Sequence, residues 1–400
     1  MRAGPSQEEI RRHNLGTLLR HVHLGGPTSR AELTNRMGLN RSTIMALTAD
    51  LTAAGLVREE LPKDTGRAGR PSLVVRPESA RVYVLAFDVG VDRVVAARVG
   101  LGGAVLDRRE TTHARGSFDL ADLVATLAGF ARQMTRKTRA DTVCVGAACA
   151  FSGGVRHSDG YVRFAPNMGL EDVPFGEELS KKLAMGLPVA VGNEANLGAL
   201  AEHTRGIGVG CRDLVYLHGE VGIGGGIIVN GQLMGGMSGY GGEVGHMIVN
   251  PGGRPCACGS RGCLEAEVGE RALLEHAGRY GEPLGRDGVR AVVEDADAGD
   301  IMAQDALHRV GNWLGLGVAN LVNIFNPEIV VFGGMLREIY LGSAAQVRSR
   351  VNTGSLIASR EHLRLRISAL GDDATLVGAA ELGFSQVLDD PLEVLARLGN

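Results

Sequence analysis

The chain has 400 residues, of which 44% are hydrophobic and 4% aromatic, and its formal net charge is −3 at pH 7. This length favours two or three domains, and six cysteines are too few for a disulfide framework. Because no apolar run approaches the ~20 residues of a membrane helix and no leader is evident, we expect a cytoplasmic protein without membrane contacts.

The charge is distributed unevenly. Residues 1–76 contain 12 Arg and Lys against 7 Asp and Glu, a net charge of +5, whereas the rest contains 30 against 38, a net charge of −8. A small basic head on a larger acidic body indicates an anionic partner for the head alone.

The N-terminal residues have a helical period that ends at Gly25-Gly26. The apolar residues on one face of this predicted helix are Ile10, Leu15, Leu18, Leu19 and Val22. Two shorter helices are predicted next, capped by Ser29 and Asn40 and joined by a turn at Gly38.

The inward face of the third helix carries Ile44, Leu47 and Leu51. Two short helices joined by a glycine turn after a first helix are typical of a helix-turn-helix DNA-binding unit. The exposed start of the recognition helix would offer these residues to base edges in the major groove: Asn40, Arg41, Ser42 and Thr43.

The segment "LPKDTGRAGRPSLVVRP" follows, in which Lys63, Arg67 and Arg70 are interleaved with glycine and proline. It indicates a cationic wing whose arginines enter a minor groove, followed by a strand. The alternative is a three-helix protein-interaction module with a solvated arginine linker. Helix spacing, wing and charge asymmetry together favour a winged helix-turn-helix DNA-binding domain over residues 1–77.

From "RVYVLAFDVG" onward the hydrophobic period becomes that of strands. Strands with glycine turns occur twice, and helices follow each set. This pattern predicts an α/β body of two related lobes, residues 78–190 and 191–400, with a ligand cleft between them. The C-terminal helix could return to the first lobe.

Three segments, "GIGGGIIVNGQL", "GGEVGHMIVNPGG" and "CACGSRGCLEA", resemble the signature of the ROK family of sugar kinases and sugar-responsive repressors. The resemblance extends from about residue 82 to the C-terminus and includes "GLGVANLVNIFNPEIVVFGG". It implies a two-lobe actin-like/hexokinase fold, often dimeric or tetrameric. The winged head is similar to that of the family's xylose-repressor branch.

The spacing Cys256-x-Cys258-x4-Cys263 can supply three thiolates, and His246 a fourth ligand. Such a Cys3His set is closed and typical of structural zinc, whereas a catalytic zinc keeps an open position. A disulfide is disfavoured because cysteines two residues apart seldom reach the required geometry.

The resemblance also implies a sugar site. In the family, residues matching Glu243, His246 and Glu265 contact sugar hydroxyls, and Asn167, Asn193 and Glu194 match further sugar-contacting positions. Carboxylates accept hydrogen bonds from diols, and an imidazole can offer its second nitrogen while the first binds metal. Taken singly, any such Glu is more often a surface carboxylate.

The phosphate-binding features of the family's kinases are altered here. Glu194 stands at the position of the catalytic Asp, one methylene longer. The first phosphate loop contains Asp92 in place of a hydroxyl, and the second contains Glu220 and Val221 in place of Gly-Thr. Acidic groups close to phosphate are repulsive, so we predict no working catalytic residue.

We therefore expect a repressor that binds operator DNA as a homodimer or homotetramer, with structural zinc and with a sugar or phosphosugar between its lobes. One rival is an ATP-dependent, glucokinase-like sugar kinase that carries a DNA-binding head. Another is a repressor controlled by a partner protein, but no feature of the sequence supports it. Many pentoses and hexoses share the predicted contacts, so the sequence does not select the sugar.

Overall fold

The computed structural model describes residues 6–62, 72–116, 119–136, 138–281 and 285–398. The predicted wing residues Lys63, Arg67 and Arg70 lie outside these ranges. Within them, no helix is long and apolar enough to cross a membrane.

The head consists of three helices and a small three-stranded sheet. Its elements are α1 (Gln7–Gly25), β1 (Thr28–Ser29), α2 (Arg30–Met37), α3 (Arg41–Ala53), β2 (Val57–Glu60) and β3 (Val74–Pro77). The strand order is β1-β3-β2, and both pairs are antiparallel. Strand β2 ends before the predicted wing residues Lys63, Arg67 and Arg70, and strand β3 begins after them.

The predicted helix caps of the head are confirmed. Ser29 Oγ accepts a hydrogen bond from the Glu32 amide at 3.1 Å, and Asn40 Oδ1 accepts one from the Thr43 amide at 2.8 Å. Gly38 follows α2 in the left-handed conformation, with φ +64°. Ile10 differs from its predicted neighbours, because the core of the head begins only at Leu15 and Ile10 is 48% exposed.

The first lobe is built on a five-stranded sheet of order β11-β7-β4-β5-β6. Its elements are β4 (Val82–Val89), β5 (Arg93–Gly100), β6 (Val105–Thr112), α4 (Leu120–Thr135), β7 (Val143–Phe151), β8 (Gly154–Arg156), β9 (Tyr161–Ala165), β10 (Leu170–Val173), α5 (Phe175–Leu183) and β11 (Val189–Asn193). Strands β8–β10 form a separate three-stranded sheet. The strand β4 is buried throughout, which agrees with its continuous apolar sequence.

The second lobe repeats this arrangement in the order β14-β13-β12-β15-β16. Its elements are α6 (Glu194–Arg205), β12 (Leu214–Gly219), β13 (Ile223–Val229), β14 (Gln232–Leu233), α7 (Leu264–Val268), α8 (Glu270–His276), α9 (Arg286–Asp297), α10 (Ile301–Phe325), β15 (Ile329–Gly334), α11 (Leu336–Gly354), α12 (Ile357–Arg360), β16 (Arg364–Ile367), α13 (Ala374–Asp389) and α14 (Pro391–Leu398). In chain order, the first strand of each five-stranded sheet pairs antiparallel with the second and parallel with the fourth. These pairs are β4 with β5 and β7, and β12 with β13 and β15. The prediction of an α/β body with two related lobes is confirmed.

Two helices connect the parts of the molecule. α6 packs on β12 and β13 of the second sheet, whereas α13 packs on β4 and β7 of the first sheet. The two helices also pack against each other, and α13 contacts α1 of the head. One hydrophobic core therefore contains residues of the head and of the first lobe together.

Candidate functional site

A cavity of about 370 Å³ lies between the two lobes. The residues that the family resemblance implied for sugar contact all line it: Asn167, Asn193, Glu194, Glu243, His246 and Glu265. They come from five places in the chain: the turn after β9, the end of β11, the start of α6, the loop after β14 and the start of α7. Tyr240 and Ser152 also line the cavity and were not expected.

Glu194 stands at the first position of α6, directly after the helix cap Asn193. Its Oε2 accepts hydrogen bonds from Asn193 Nδ2 at 2.7 Å and from the Gly153 amide at 3.3 Å. Burial raises the pKa of Glu194 to about 8, even though the nearby His218 lowers it. At neutral pH this carboxyl is mostly protonated, a poor state for a general base.

Glu265 also lines the cavity, from the start of α7. Its Oε2 accepts a hydrogen bond from the Ile223 amide at 3.0 Å. A side chain at Gly222 would bring its Cβ within 2.3 Å of the same oxygen. Glycine at this position, directly before β13, therefore lets the backbone and the carboxylate approach each other.

Four potential metal ligands converge beside the cavity. The ligand atoms of His246, Cys256, Cys258 and Cys263 all lie within 4.8 Å of one another. Cys258 Sγ is 3.7 Å from Cys263 Sγ, and Cys256 Sγ is 3.7 Å from His246 Nδ1. Around a tetrahedral zinc, ligand atoms stand about 3.6–3.8 Å apart. The cluster could bind such a metal and would hold His246 by Nδ1.

The loop that carries these ligands has little regular structure. Isolated bridges pair Ile248 with Cys263 and Pro255 with Arg261. Glu243 Oε2 lies 4.0 Å from His246 Nε2, the nitrogen that Nδ1 ligation leaves available. The metal-ligand cluster and the cavity wall thus share His246.

A second cavity, of about 840 Å³, continues from the first and shares Glu220 with it. Arg115 spans this part of the cleft. Its Nε and Nη2 donate to Asp92 Oδ2 at 3.1 and 3.0 Å, and its Nη1 donates to Glu270 Oε1. Arg115 thereby joins the first lobe to α8 of the second.

This bridge changes the interpretation of Asp92. The sequence suggested a free carboxylate that repels phosphate, but Asp92 is paired with Arg115, whose single positive charge it shares with Glu270. The sequence gave no signal for this, because Asp92 is 23 residues and Glu270 155 residues from Arg115. Glu220 lines both cavities, and its Oε1 lies 3.7 Å from His218 Nε2.

The base of the cleft contains further buried ionisable groups. Asp88 Oδ2 accepts a hydrogen bond from Thr375 Oγ1 at 2.9 Å. Burial, reinforced by the charge of Glu220, raises the pKa of Asp88 to about 6. Burial alone would lower the pKa of His218, but the neighbouring Glu220, Glu194 and Asp88 outweigh it and raise that pKa.

The start of α3 is exposed on the head. Arg41 and Ser42 are exposed, and Thr43 is half-buried. Asn40 Oδ1 accepts hydrogen bonds from the Thr43 amide, Thr43 Oγ1 and Ser42 Oγ. Because this oxygen is engaged, Asn40 could contact a base only through its amide nitrogen.

Comparison with known proteins gives a family for this arrangement of sheets, cavity and ligand cluster. The model of the ROK family matches residues 84–385, which is more than half of the chain. The chain belongs to the ROK family. The resemblance seen in the glycine and cysteine segments is thereby confirmed.

Both ROK repressors and ROK kinases are among its relatives. The xylose repressor of Caldicellulosiruptor bescii is 30% identical over 382 residues, 91% of this chain and 93% of that protein. A solved ROK family transcriptional regulator, a homologue of the Escherichia coli Mlc protein, has a TM-score of 0.79 and 27% identity, and covers 98% of this chain and 99% of its own. These ROK proteins match the head as well as the body.

A solved ROK glucokinase matches less of the chain. The Streptomyces griseus enzyme, in complex with glucose and AMPPNP, has a TM-score of 0.64 and 26% identity. The match covers 76% of this chain but 99% of the glucokinase. The ROK body is therefore shared with kinases, and the added length agrees with the repressor-type relatives.

Proposed function

We propose that this ROK protein is a sugar-responsive transcriptional repressor. Its head binds operator DNA, and a sugar or phosphosugar bound between the lobes lowers the affinity for that DNA. The observation that carries the proposal is that a helix-turn-helix head and a polar cavity between two lobes occur in one chain and share α13 as a packing partner.

The cavity is suited to a polyol. Glu243 and Glu265 offer carboxylate acceptors to vicinal hydroxyls, and Asn167 offers an amide that can donate and accept. Glu194, when protonated, can donate a hydrogen bond to a sugar hydroxyl as well as accept one. A volume near 370 Å³ accommodates a monosaccharide and some water.

Zinc is the metal that we propose for the ligand cluster, with His246, Cys256, Cys258 and Cys263 as ligands. Three thiolates and one imidazole complete a tetrahedron and leave no open coordination position, so the metal would be structural. It would fix the loop that carries Glu243 and hold His246 so that Nε2 remains available to a sugar hydroxyl.

Operator recognition is assigned to the start of α3, with Arg41, Ser42 and Thr43 as base or phosphate contacts and Asn40 as a contact through its amide nitrogen. Lys63, Arg67 and Arg70 are the proposed wing contacts. A homodimer would present two such heads to a palindromic site, and a homotetramer would present four.

A second candidate is a sugar kinase with a DNA-binding head, which the glucokinase likeness and the position of Glu194 favour. Against it stand the raised pKa of Glu194, the Glu220 carboxylate and the Arg115 bridge across the nucleotide half of the cleft. We therefore assign no enzymatic activity.

The experiment measures operator binding as a function of sugar. A duplex selected by the protein from a random pool is titrated by fluorescence anisotropy, with and without a panel of aldopentoses, aldohexoses and their phosphates. We expect one of these to weaken binding by about 5- to 150-fold, the usual range of allosteric coupling. No selected duplex, or no effect of any sugar, contradicts the proposal; sugar phosphorylation above ~1 s⁻¹ favours the kinase instead.

A further inference from the structure

The head is not joined to the body by a loose linker. Leu18 and Leu19 of α1 are fully buried in the same core as Phe384 of α13 and Val394 of α14. A shift of α13 would therefore have to be followed by α1, since a gap in this core would be costly.

One polar group lies within this apolar contact. His23, near the end of α1, is completely buried. Its Nδ1 accepts a hydrogen bond from the Gly102 amide at 2.9 Å, and its Nε2 lies 3.1 Å from Glu381 Oε2. Because Nδ1 is the acceptor, a neutral ring carries its proton on Nε2, which faces Glu381 and also lies 2.8 Å from Arg205 Nη2.

Arg205 completes the group. Its Nε donates to Glu381 Oε1, its Nη1 to Gly102 O at 3.2 Å, and its Nη2 to His23 O at 3.2 Å. The guanidinium thus compensates the buried carboxylate and holds both the head and the β5–β6 turn. We refer to His23, Arg205 and Glu381 as the junction.

The junction is tied to both central sheets through two helices. Glu381 belongs to α13, which packs on the first sheet, whereas Arg205 ends α6, which packs on the second. The same helices begin at the ligand cleft. α6 starts with Glu194 in the cavity wall, and Thr375 at the start of α13 binds Asp88 at the base of the cleft.

The two helices are in close contact between these ends. A side chain at Gly378 of α13 would bring its Cβ within 1.9 Å of Leu197 O in α6. A change in the angle between the lobes must therefore pivot near this contact and alter the separation of Arg205 and Glu381. Buried hydrogen bonds tolerate little displacement, so His23 would have to move or lose a partner.

We propose that the junction is the device that couples the cleft to the DNA-binding head: His23 senses the angle between the lobes through Arg205 and Glu381, and α1 transmits it to α3. The inference depends on the proposed function, since it names the regulation of that site. His23, Arg205 and Glu381 are positioning residues, which touch neither sugar nor DNA.

The test separates coupling from binding. Full-length protein is used with the selected duplex and the most effective sugar of the panel. Three constants are measured: the Kd for sugar without DNA, the Kd for DNA without sugar, and the Kd for DNA at saturating sugar. The ratio of the last two is the coupling factor.

We expect His23→Asn and Glu381→Gln to reduce the coupling factor to below about twofold. The sugar Kd and the sugar-free DNA Kd should stay within about threefold of wild type, because neither ligand is contacted. Arg20→Ala is the matched control. It removes another ion pair between α1 and α13, Arg20 Nη2 to Asp389 Oδ1 at 2.7 Å, but that pair is exposed and does not involve α6, so coupling should be unchanged.

A coupling factor that stays at the wild-type value in folded His23→Asn and Glu381→Gln protein overturns the inference. So does an equal loss of coupling in Arg20→Ala, which would assign the effect to head docking in general. If Glu381→Gln does not fold, Arg205→Lys is measured in its place. Lysine keeps the positive charge but lacks the several N–H donors of the guanidinium. Absence of a sugar effect in the wild type overturns the proposed function and this inference together.

Discussion

Arg115 and Glu270 form an ion pair that connects the two lobes across the larger cavity of the cleft. Glu270 is 2% exposed, so its carboxylate depends on this guanidinium for compensation. Arg115 also pairs with Asp92 of the first lobe, so its side chain spans the cavity. The pair thus bears on both the stability of the cleft and its chemistry.

Replacement of Arg115 by alanine should destabilise the protein. Removing one partner of a buried pair costs about 3–5 kcal/mol, and the partial exposure of Arg115 reduces our expectation to about 2 kcal/mol. Thermal unfolding should show a Tm lower by roughly 2 °C. The double variant Arg115→Ala/Glu270→Gln should recover part of the loss, because no buried charge is left unpaired and Asp92 is 48% exposed.

The control is Arg309→Ala, which removes an exposed pair with Asp305 on α10. Such pairs contribute about 0–1 kcal/mol, so its Tm should change little. Equal Tm values for Arg115→Ala and wild type would mean that the bridge does not hold the lobes.

Replacement of Cys258 by serine should release the proposed zinc. Wild-type protein should contain about one zinc per chain by atomic emission, and the variant close to none, because a closed Cys3His site needs all four ligands. Sugar affinity should fall by about tenfold or more, since the loop carries Glu243 and His246. Sugar-free DNA binding should be retained.

Cys144→Ser is the matched control, because Cys144 lies in β7 and its Sγ donates to the Gly146 carbonyl. Its zinc content and sugar affinity should equal those of wild type. Full zinc occupancy in the Cys258→Ser protein would remove His246, Cys256, Cys258 and Cys263 as the proposed ligand set.

The parts of the molecule that the sequence predicted well have local determinants. Asn40 caps α3 through an amide three residues away, and the three cysteines of the metal-ligand cluster lie within eight positions. The antiparallel strands β12 and β13 also follow from short-range pattern, although "GIGGG" is not the turn that was predicted: only Gly222 precedes β13 and its other four residues lie in the strand. Local propensity and spacing suffice for such features.

The features that were missed depend on long-range packing. His23 meets Glu381 over 358 residues of sequence, and Arg115 meets Glu270 over 155. No period or spacing in one sequence encodes such pairs. Glu220 and Asp92 were noted in the sequence as acidic residues, but the guanidinium that pairs with Asp92 became visible only in the fold.

Replacement of Arg41 by alanine should weaken specific DNA binding. A bidentate arginine–guanine contact contributes about 1–3 kcal/mol of discrimination, so the Kd for the selected duplex should rise about 10- to 100-fold. The Kd for random duplex should change much less. Anisotropy titrations on both duplexes measure the two effects.

Replacement of Arg70 by alanine should act differently from Arg41→Ala. Loss of a phosphate or groove contact weakens binding to all sequences and makes the slope of log K against log salt less steep by about 1. Arg397→Ala is the control, because Arg397 is exposed on α14 and pairs with Glu393. An unchanged salt slope for Arg70→Ala would exclude a phosphate contact of the predicted wing.

The pKa of Glu194, raised by burial to about 8 from an ordinary value of 4.5, should make stability depend on pH. The unfolded chain releases this proton at lower pH than the folded chain does. Between about pH 4.5 and pH 8 the unfolded state therefore binds fewer protons, and stability falls as the pH rises through this window. Glu194→Gln cannot ionise and retains the shape of the protonated carboxyl. Its Tm relative to wild type should therefore rise from pH 5 to pH 8.5, by at least about 1 °C for a difference of ~1 kcal/mol.

The comparison of wild type with Glu194→Gln isolates this group, because Asp88, whose pKa is also raised, titrates in both proteins. Glu177→Gln is the control: Glu177 is exposed and pairs with Lys181 at 2.7 Å. Its Tm should run parallel to wild type over the whole range. Parallel Tm curves for Glu194→Gln as well would mean that Glu194 is ionised at neutral pH, and the argument against a general base at this position would be lost.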